Sequence, residues 1–400
     1  MKNVSRIIPC YSADTSGVCS ALYELGGMTV THDASGCNST YATHDEPRWY
    51  DMQSDIYISA LTEMDAIMGD DEKLISDVVS AARDRAPAFI AVCGSPMPMM
   101  TGVDFDAVAA EIEARSGIRT FGMHTNGTHS YIEGASEAFL DIVREFVTDC
   151  PKGGLEVRSP LNHEMSQTLQ RMSHISDNIG VNILGMTPLD FPWRGTMDSM
   201  KRFLTESGFE YVSCLAMGSS LDEIRRAASA RVNLVVSFSG FAAAKYMKER
   251  FGIPYVCGVP FGKKYAERVK CYLNWAAEDK ECDTVNERGG EPCDTVIIGE
   301  SIGAVSLASA LWHENGTHAR VICPLPTDRE ILADYDLTLS AEEDIERALH
   351  DLAPKTVIAD PLYRYIVPQG TRLIELPHFA FSGRCFERDM KDLIYCDIPF

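Results

Sequence analysis

The chain lacks most of the short motifs that announce a cofactor. None of its thirteen cysteines stands in a C-x-x-C pair, which excludes a simple zinc ribbon, a thioredoxin-like motif and a bacterial ferredoxin run. No G-x-x-x-x-G-K-[ST] loop occurs. The nearest segment, Gly258-Val259-Pro260-Phe261-Gly262-Lys263-Lys264, has the wrong spacing and no hydroxyl residue after its lysines. Gly299-Glu300-Ser301-Ile302-Gly303 is not a G-x-G-x-x-G fingerprint, and neither H-E-x-x-H nor G-x-S-x-G is present. Nucleotide hydrolysis by this chain and a nucleotide redox cofactor are therefore not expected. Basic residues are also short: 36 Lys and Arg face 58 Asp and Glu, a net charge of −22. That balance argues against a nucleic-acid or anionic membrane surface. No stretch approaches the ~20 apolar residues of a membrane span. The start, MKNVSRIIPCYSADTSG, has no uninterrupted apolar h-region. The expectation is a cytoplasmic protein that binds neither nucleic acid nor membrane.

What is present is the material of an ordinary globular protein, 45% apolar and 24% charged. Its 400 residues, at roughly 150 per domain as a soft prior, suggest two or three domains. Apolar runs alternate with helical spacing. AFIAVCG (88–94), VNILGMTP (181–188), VNLVVSF (232–238), DTVIIGESIGA (294–304) and KTVIAD (355–360) fit buried parallel strands, several followed by helices. The class is α/β with doubly wound units. Polar stretches at 150–167 and 281–294 suggest three lobes: 1–155, 170–285 and 290–400.

In a cytoplasm thiols stay reduced, so the cysteines read as buried small hydrophobes or as ligands converging from distant segments. Cys10 follows RIIP and precedes a Ser/Gly-rich turn. Cys37 closes MTVTHDASGC beside Gly36, and Cys93 closes AFIAVC beside Gly94. All three stand where a strand-like run enters a loop, which is where doubly wound folds bind ligands. Small neighbours let the backbone approach a bulky group. Two readings stay open: cluster ligands, or thiols buried at strand ends.

These residues resemble the nitrogenase component 1 family. Cys10-Tyr11-Ser12-Ala13-Asp14 is similar to that family's first cluster cysteine and its turn. His32-Asp33-Ala34-Ser35-Gly36-Cys37 resembles H-G-P-x-G-C, at 27 residues from Cys10. Met68-Gly69-Asp70-Asp71-Glu72-Lys73-Leu74 resembles F-G-G-x-x-K-L. Val92-Cys93-Gly94 through Gly102-Val103-Asp104 resembles the C-P-x-x-x-I-G-D-D region. Weaker similarity continues at Asn233–Val236, at Phe251–Pro254 and in Phe381-Ser382-Gly383.

The resemblance implies three Rossmann-like domains with parallel sheets flanked by helices. It implies Cys10, Cys37 and Cys93 as metal ligands, with Gly36 and Gly94 beside the bound group. The group would be an iron–sulfur cluster, [4Fe–4S] or a larger P-cluster-like centre, shared across a homodimer or with a homologous partner chain. A separate P-loop ATPase iron–sulfur reductase would supply electrons, and a small-molecule substrate would accept them. The departures count as well. Asp33-Ala34 replace the motif's Gly-Pro. Val236 stands where molybdenum–iron α subunits carry the cofactor cysteine, and Pro377 where they carry the late histidine, with His378 one position on. An apolar Val cannot bind iron, so neither the mixed-metal cofactor nor nitrogen fixation is expected. A scaffold for metal-cluster assembly or transfer, and a metal-free small-molecule binding protein, are the alternatives.

Other residues carry weaker signals. His44, in His44-Asp45-Glu46-Pro47-Arg48-Trp49-Tyr50, fits either a proton donor in a substrate pocket or a solvated loop. His124 fits a cavity wall or a structural histidine. Cys19 reads as core, and Cys385 and Cys396 as surface or packing thiols. Met97, Met99 and Met100 read as soft core filler.

Overall fold

In the computed structural model, residues 6–36, 39–43, 45–148, 179–289 and 294–400 are described. Their strands form three all-parallel sheets. The first has the order β2-β1-β3-β4, built from β1 (Met28–Thr31), β2 (Ile56–Ile58), β3 (Ile90–Cys93) and β4 (Thr120–Met123). The second has the order β6-β5-β7-β8-β9: β5 (Ile179–Met186), β6 (Phe209–Ala216), β7 (Val232–Val235), β8 (Tyr255–Cys257) and β9 (Asp283–Thr284). The third has the order β12-β11-β10-β13-β14: β10 (Thr295–Ile298), β11 (Ala319–Cys323), β12 (Leu337–Thr338), β13 (Thr356–Ala359) and β14 (Arg372–Glu375). The expected three-lobed α/β class is what forms. The polar stretch 150–167 lies outside the described residues. The expected break at 281–294 is partly a strand: β9 pairs with β8, because Asp283 and Thr284 extend alongside Val256 and Cys257.

Parallel strands buried on both faces need continuous apolar runs, and β3 shows why. Ile90 and Val92 face one side, against Leu74, Ile75, Val78, Val79 and Ala82 of helix Asp71–Arg85. Those positions fall on one helical face, and Asp70 caps the helix by accepting from the Glu72 amide at 3.1 Å. Ala91 and Cys93 alternate to the other side, against Val18, Ala21 and Leu22 of helix Asp14–Leu22. Each such aliphatic side chain contributes about 1.5–3 kcal/mol by leaving water.

Both ends of the described chain cross between lobes. Arg6 pairs with Glu342 at 3.2 Å, and the Ile7 amide donates to the same carboxylate at 2.9 Å. The Tyr11 and Ser12 amides both donate to the Ala380 carbonyl at 2.9 Å. At the other end, the Tyr395 amide donates to Pro260 at 2.8 Å, so the tail returns to the middle lobe. Arg288 joins the middle and third lobes through a buried pair with Asp336 at 2.6 Å.

Candidate functional site

Each sheet changes winding direction once, and ligands in such sheets bind outside the carboxyl ends of the strands at that point. In the first lobe the point lies between β1 and β3. The loop 32–36 leaves β1 there, and Gly94 and Ser95 leave β3. The His32 amide donates to the Cys93 carbonyl at 2.8 Å, and Ser95 Oγ donates to the His32 carbonyl at 3.2 Å. The segment 12–15 lies across the same edge. Thr15 Oγ1 donates to the Gly94 carbonyl at 3.0 Å, and the Tyr131 amide donates to Ser12 at 3.1 Å. Asp14, 1% exposed, accepts from the amides of Asn126 (2.9 Å) and Gly127 (2.8 Å). A cavity of about 340 Å³ opens here, bordered by Thr15, Asp33, Tyr41, Ser95, Met97 and Gly127.

The expected site residues divide on this edge. Cys93 is fully buried at the end of β3, in the core with Phe121 and Met123. Burial pushes its thiol well above the ordinary range, with Cys19, Glu137 and Asp14 adding to the rise. Cys10 is half-buried and lies toward the third lobe. Its thiol donates to the carbonyls of Ser12 and Ala380, each at 3.5 Å. Burial, with a smaller push from Asp190, raises it to about 12, while the amides of Ser12 and Tyr131 act in the opposite direction. Cys37 and His44 lie outside the described residues. Gly36 is exposed, and a Cβ there would meet nothing within 4 Å. A Cβ on Gly94 would overlap the Thr125 carbonyl, so that glycine answers a packing requirement of the chain itself. Among the described residues no group of three or more His, Cys, Asp or Glu side chains is placed to hold a single metal ion.

His124 stands outside this cavity. It is exposed, with Nδ1 2.6 Å from Glu137 and Nε2 3.3 Å from Asp106. The Glu137 hydrogen bond pushes its pKa up. It borders a groove of about 1,090 Å³ with Glu137, Asp141, Arg144, Phe238 and Pro326. Asp141 in that groove is raised to about 6, chiefly by burial and then by Glu137.

A second polar centre lies where the three lobes meet. It joins the corresponding points of the middle sheet (after β5 and β7) and the third sheet (after β10 and β13). Tyr131, from the first lobe, donates to the Asp190 carboxylate. His378 Nε2 lies 3.3 Å from the same oxygen, and its ring stacks on Phe381 at 4.4 Å. Asp360 accepts from the His378 amide at 2.9 Å and from Ser382 Oγ at 2.7 Å. Glu300 accepts from the amides of Ile302 (3.1 Å), Gly303 (2.8 Å) and Phe238 (3.0 Å). Its carboxylate thus fills the helix N-terminus where a dinucleotide fold seats a phosphate. Burial, then Asp190, pushes Glu300 upward against those three amides. The enclosed cavity here is about 90 Å³, bordered by Asp190, Glu300, Asp360, Pro377 and His378. At ~30 Å³ per water, that is space for a few waters.

His378 stands out in the sequence, but Tyr131, Asp190, Glu300 and Asp360 do not announce themselves there as one centre. The available signal was positional: Asp190, Glu300 and Asp360 each follow an apolar strand run. One other expectation changes. Met97, Met99 and Met100 are not core filler; they are 40%, 47% and 82% exposed on the short helix Pro96–Thr101, whose glycine-terminated end leaves that face outward. In the segment 45–50, for which a solvated loop is one of two open readings of the sequence, Asp45, Glu46, Pro47 and Arg48 are buried while Trp49 and Tyr50 are exposed. Arg48 is fully buried, donating to Glu46 (2.7 Å), Glu24 (2.9 Å) and the Ser20 carbonyl (2.6 Å). Cys19 is core, as expected, at 2% exposure. Val236 is buried, and its amide donates to Leu184 at 2.9 Å.

The family model described as nitrogenase component 1 type oxidoreductase matches residues 17–273. The chain belongs to this family. Cys10 and the third lobe lie outside the matched span. Among curated relatives, a subunit of the light-independent protochlorophyllide reductase of Prosthecochloris aestuarii is 32% identical over 111 residues, covering 26% of this chain and 21% of the relative. The nitrogenase iron-molybdenum cofactor biosynthesis protein NifE of Clostridium pasteurianum is 27% identical over 197 residues, covering 49% and 38%. The same subunit of the light-independent protochlorophyllide reductase from Angiopteris evecta is 22% identical over 352 residues, covering 79% and 65%. These alignments thus span between about a fifth and two thirds of the relatives' lengths. A solved structure titled "Nitrogenase Cp1 at pH 6.5" superposes with a TM-score of 0.67 at 13% identity, covering 96% of this chain and 89% of that one. That likeness establishes the fold.

Proposed function

We propose that this chain is the electron-accepting component of a nitrogenase-like reductase system. It would take electrons from a P-loop ATPase iron–sulfur reductase and pass them to a small-molecule substrate. The observation that carries this reading is the carboxyl edge of the first sheet. Cys93 ends β3 there, the loop 32–36, which precedes Cys37 in the sequence, leaves β1 there, and the segment 12–15 lies across the same edge. Soft thiolates at loop positions suit an iron–sulfur centre, and amides near the Cys10 sulfur suit its charge. Cys10, Cys37 and Cys93 would hold that centre, which supplies one-electron transfer when bound. Binding would deprotonate Cys10 and Cys93, whose thiols burial pushes up, since a coordinated thiol is deprotonated.

An exposed apolar face lies nearby. Met64, Ile67 and Met68 on helix Glu63–Met68 are 65%, 79% and 70% exposed, and they continue into the methionines of Pro96–Thr101. Adjacent large apolar residues of this kind mark an interface. A second chain of the family, identical or homologous, would cover it beside the cluster loops. The groove beside His124 has room for a bulky substrate, and Phe238 links it to the Glu300 centre. His124, and His44 from its loop, are the candidate proton donors.

Anaerobic purification should yield a brown protein containing iron and acid-labile sulfide, with the colour lost in Cys37→Ala. A colourless, iron-free protein after anaerobic reconstitution would overturn the proposal. The similarity to the NifE protein favours one second reading, a scaffold that assembles or hands on a metal centre. Transfer of bound iron to an acceptor protein, without ATP-driven substrate turnover, would select it.

A further inference from the structure

One wall of the cavity where the lobes meet belongs to none of the three sheets. Residues 390–394 border that cavity together with Asp190, Glu300, Asp360 and His378. Among the described residues, two backbone hydrogen bonds join this segment to the middle lobe. The Gly262 amide donates to the Leu393 carbonyl at 3.1 Å, and the Tyr395 amide donates to Pro260 at 2.8 Å. Leu393 and Ile394 seal the wall and are buried. Beyond them, Lys263 and Asp397 pair at 3.6 Å with both side chains exposed, and such a pair contributes little. Both ends of the segment are irregular. Upstream, Phe386 breaks the 3₁₀ turn Gly383–Asp389 with φ −126°. Downstream, Tyr395 has φ +52°, an outlier for a bulky side chain. Such a conformation persists only where its surroundings impose it, and it clusters at clamps and switch segments. Here the Pro260 bond and the Phe203 ring, with centroids 5.7 Å apart, impose it. Inside the cavity, His378 Nδ1 is buried and has no hydrogen-bond partner among the described residues. The space of about 90 Å³ has room for one.

We propose that the segment 390–395 is a strap that gates this cavity. It lifts off Pro260–Gly262, hinging at the Phe386 kink, and admits a small polar molecule of a few non-hydrogen atoms. Asp190, Glu300, Asp360 and His378 then meet solvent, and what enters supplies the partner of His378 Nδ1. A segment held by so few contacts opens locally at a smaller cost than the whole fold, and opening releases the left-handed backbone at Tyr395. Glu300 stays in place as the strap leaves, because the amides that hold it, Ile302, Gly303 and Phe238, lie outside the strap. The gate needs no metal at the cysteine edge, so it stands apart from the iron–sulfur reading above.

The test locks the strap shut in the full chain. Phe261 and Ile394 stand opposite each other in an antiparallel bridge, and such pairs have Cα spacings of ~4.5–5.5 Å that a disulfide accepts. Phe261→Cys with Ile394→Cys, carrying Cys396→Ser to prevent mispairing, is compared with itself, oxidised and reduced. The probe is a water-soluble carbodiimide with an amine, and mass spectrometry reads the labelling rate of the Glu300 carboxyl. Asp222, with an 82% exposed side chain, is the reference. Oxidation should slow Glu300 labelling by at least about tenfold, since only larger openings then remain, and should leave Asp222 unchanged. In the otherwise native chain, Ile394→Ala should speed Glu300 labelling by a similar factor, because the smaller side chain weakens the closed state. Equal Glu300 rates in the oxidised and reduced proteins, including no labelling in either, would overturn the inference. So would a native chain in which Glu300 labels as fast as Asp222, since the cavity is then open without the strap.

Discussion

At the scale of single residues, Arg48 is the most tightly constrained. A guanidinium keeps its charge even with no exposure, and carboxylates beside it offset the cost of burying that charge, as Glu46 and Glu24 do here. Arg48→Met should cost about 3–5 kcal/mol in denaturant unfolding, because it leaves the Glu46 carboxylate buried and unpaired. Arg48→Met combined with Glu46→Leu should recover much of that loss, and no recovery would contradict the assignment. The pH response has a defined sign. The folded pKa of Asp141 is raised from 3.8 to about 6, so the folded state binds this proton more tightly than the unfolded state. Its contribution to stability is therefore present at low pH and lost as pH rises from about 4 through about 6. The His124 contribution has the same direction: its raised pKa stabilises the protonated fold below about 6.5 and fades as pH passes the folded value. Thermal unfolding of Asp141→Asn should lack the loss between pH 4 and 6 that the parent shows. Parallel curves for the two proteins across that window would contradict it.

At the scale of elements, helices Asp14–Leu22 and Tyr131–Phe146 cross at paired glycines. A Cβ on Gly17 would overlap the Tyr131 carbonyl, and one on Gly134 the Asp14 carbonyl. Gly17→Ala should lower stability by roughly 1–3 kcal/mol, near the upper end because backbone, not a flexible side chain, must move. Equal melting temperatures would contradict this. The crossing fixes Asp14, and through it the cysteine-bearing edge of the first sheet. Elements were the most legible level of the sequence. AFIAVCG, VNLVVSF and DTVIIGESIGA each carry a local apolar period, and each gives a strand followed by a loop or helix where that period ends. The Arg48 clamp and the Tyr131–Asp190–His378 contact were not legible. Apart from the neighbouring Glu46, their partners lie in other elements, 24 residues away for Glu24–Arg48 and 59 for Tyr131–Asp190, and no local pattern records such a pairing. The methionines of Pro96–Thr101 misled for a related reason. Apolar character reports a tendency toward burial, whereas that short helix turns its face outward.

At the scale of the whole molecule, three parallel sheets direct their ligand-binding edges to two places. The first sheet ends in the buried Cys93, with an exposed methionine face on the short helix that follows it. The middle and third sheets close on each other around three carboxyl groups and His378, leaving about 90 Å³. Ligand pockets commonly measure ~300–1,000 Å³, so this centre is smaller than the space a bulky ligand needs. Glu300 occupies the phosphate seat of the third lobe, in accord with a chain whose own sequence has no nucleotide fingerprint. The central claim, that the cysteine edge of the first lobe holds an iron–sulfur centre, rests on one measurement above others: iron and acid-labile sulfide per chain after anaerobic purification, for the parent and for Cys37→Ala. Both elements should be present in the parent, and most of each should be lost in a Cys37→Ala protein that remains folded. Equal metal content in the two proteins, or none in either after reconstitution, would contradict the claim.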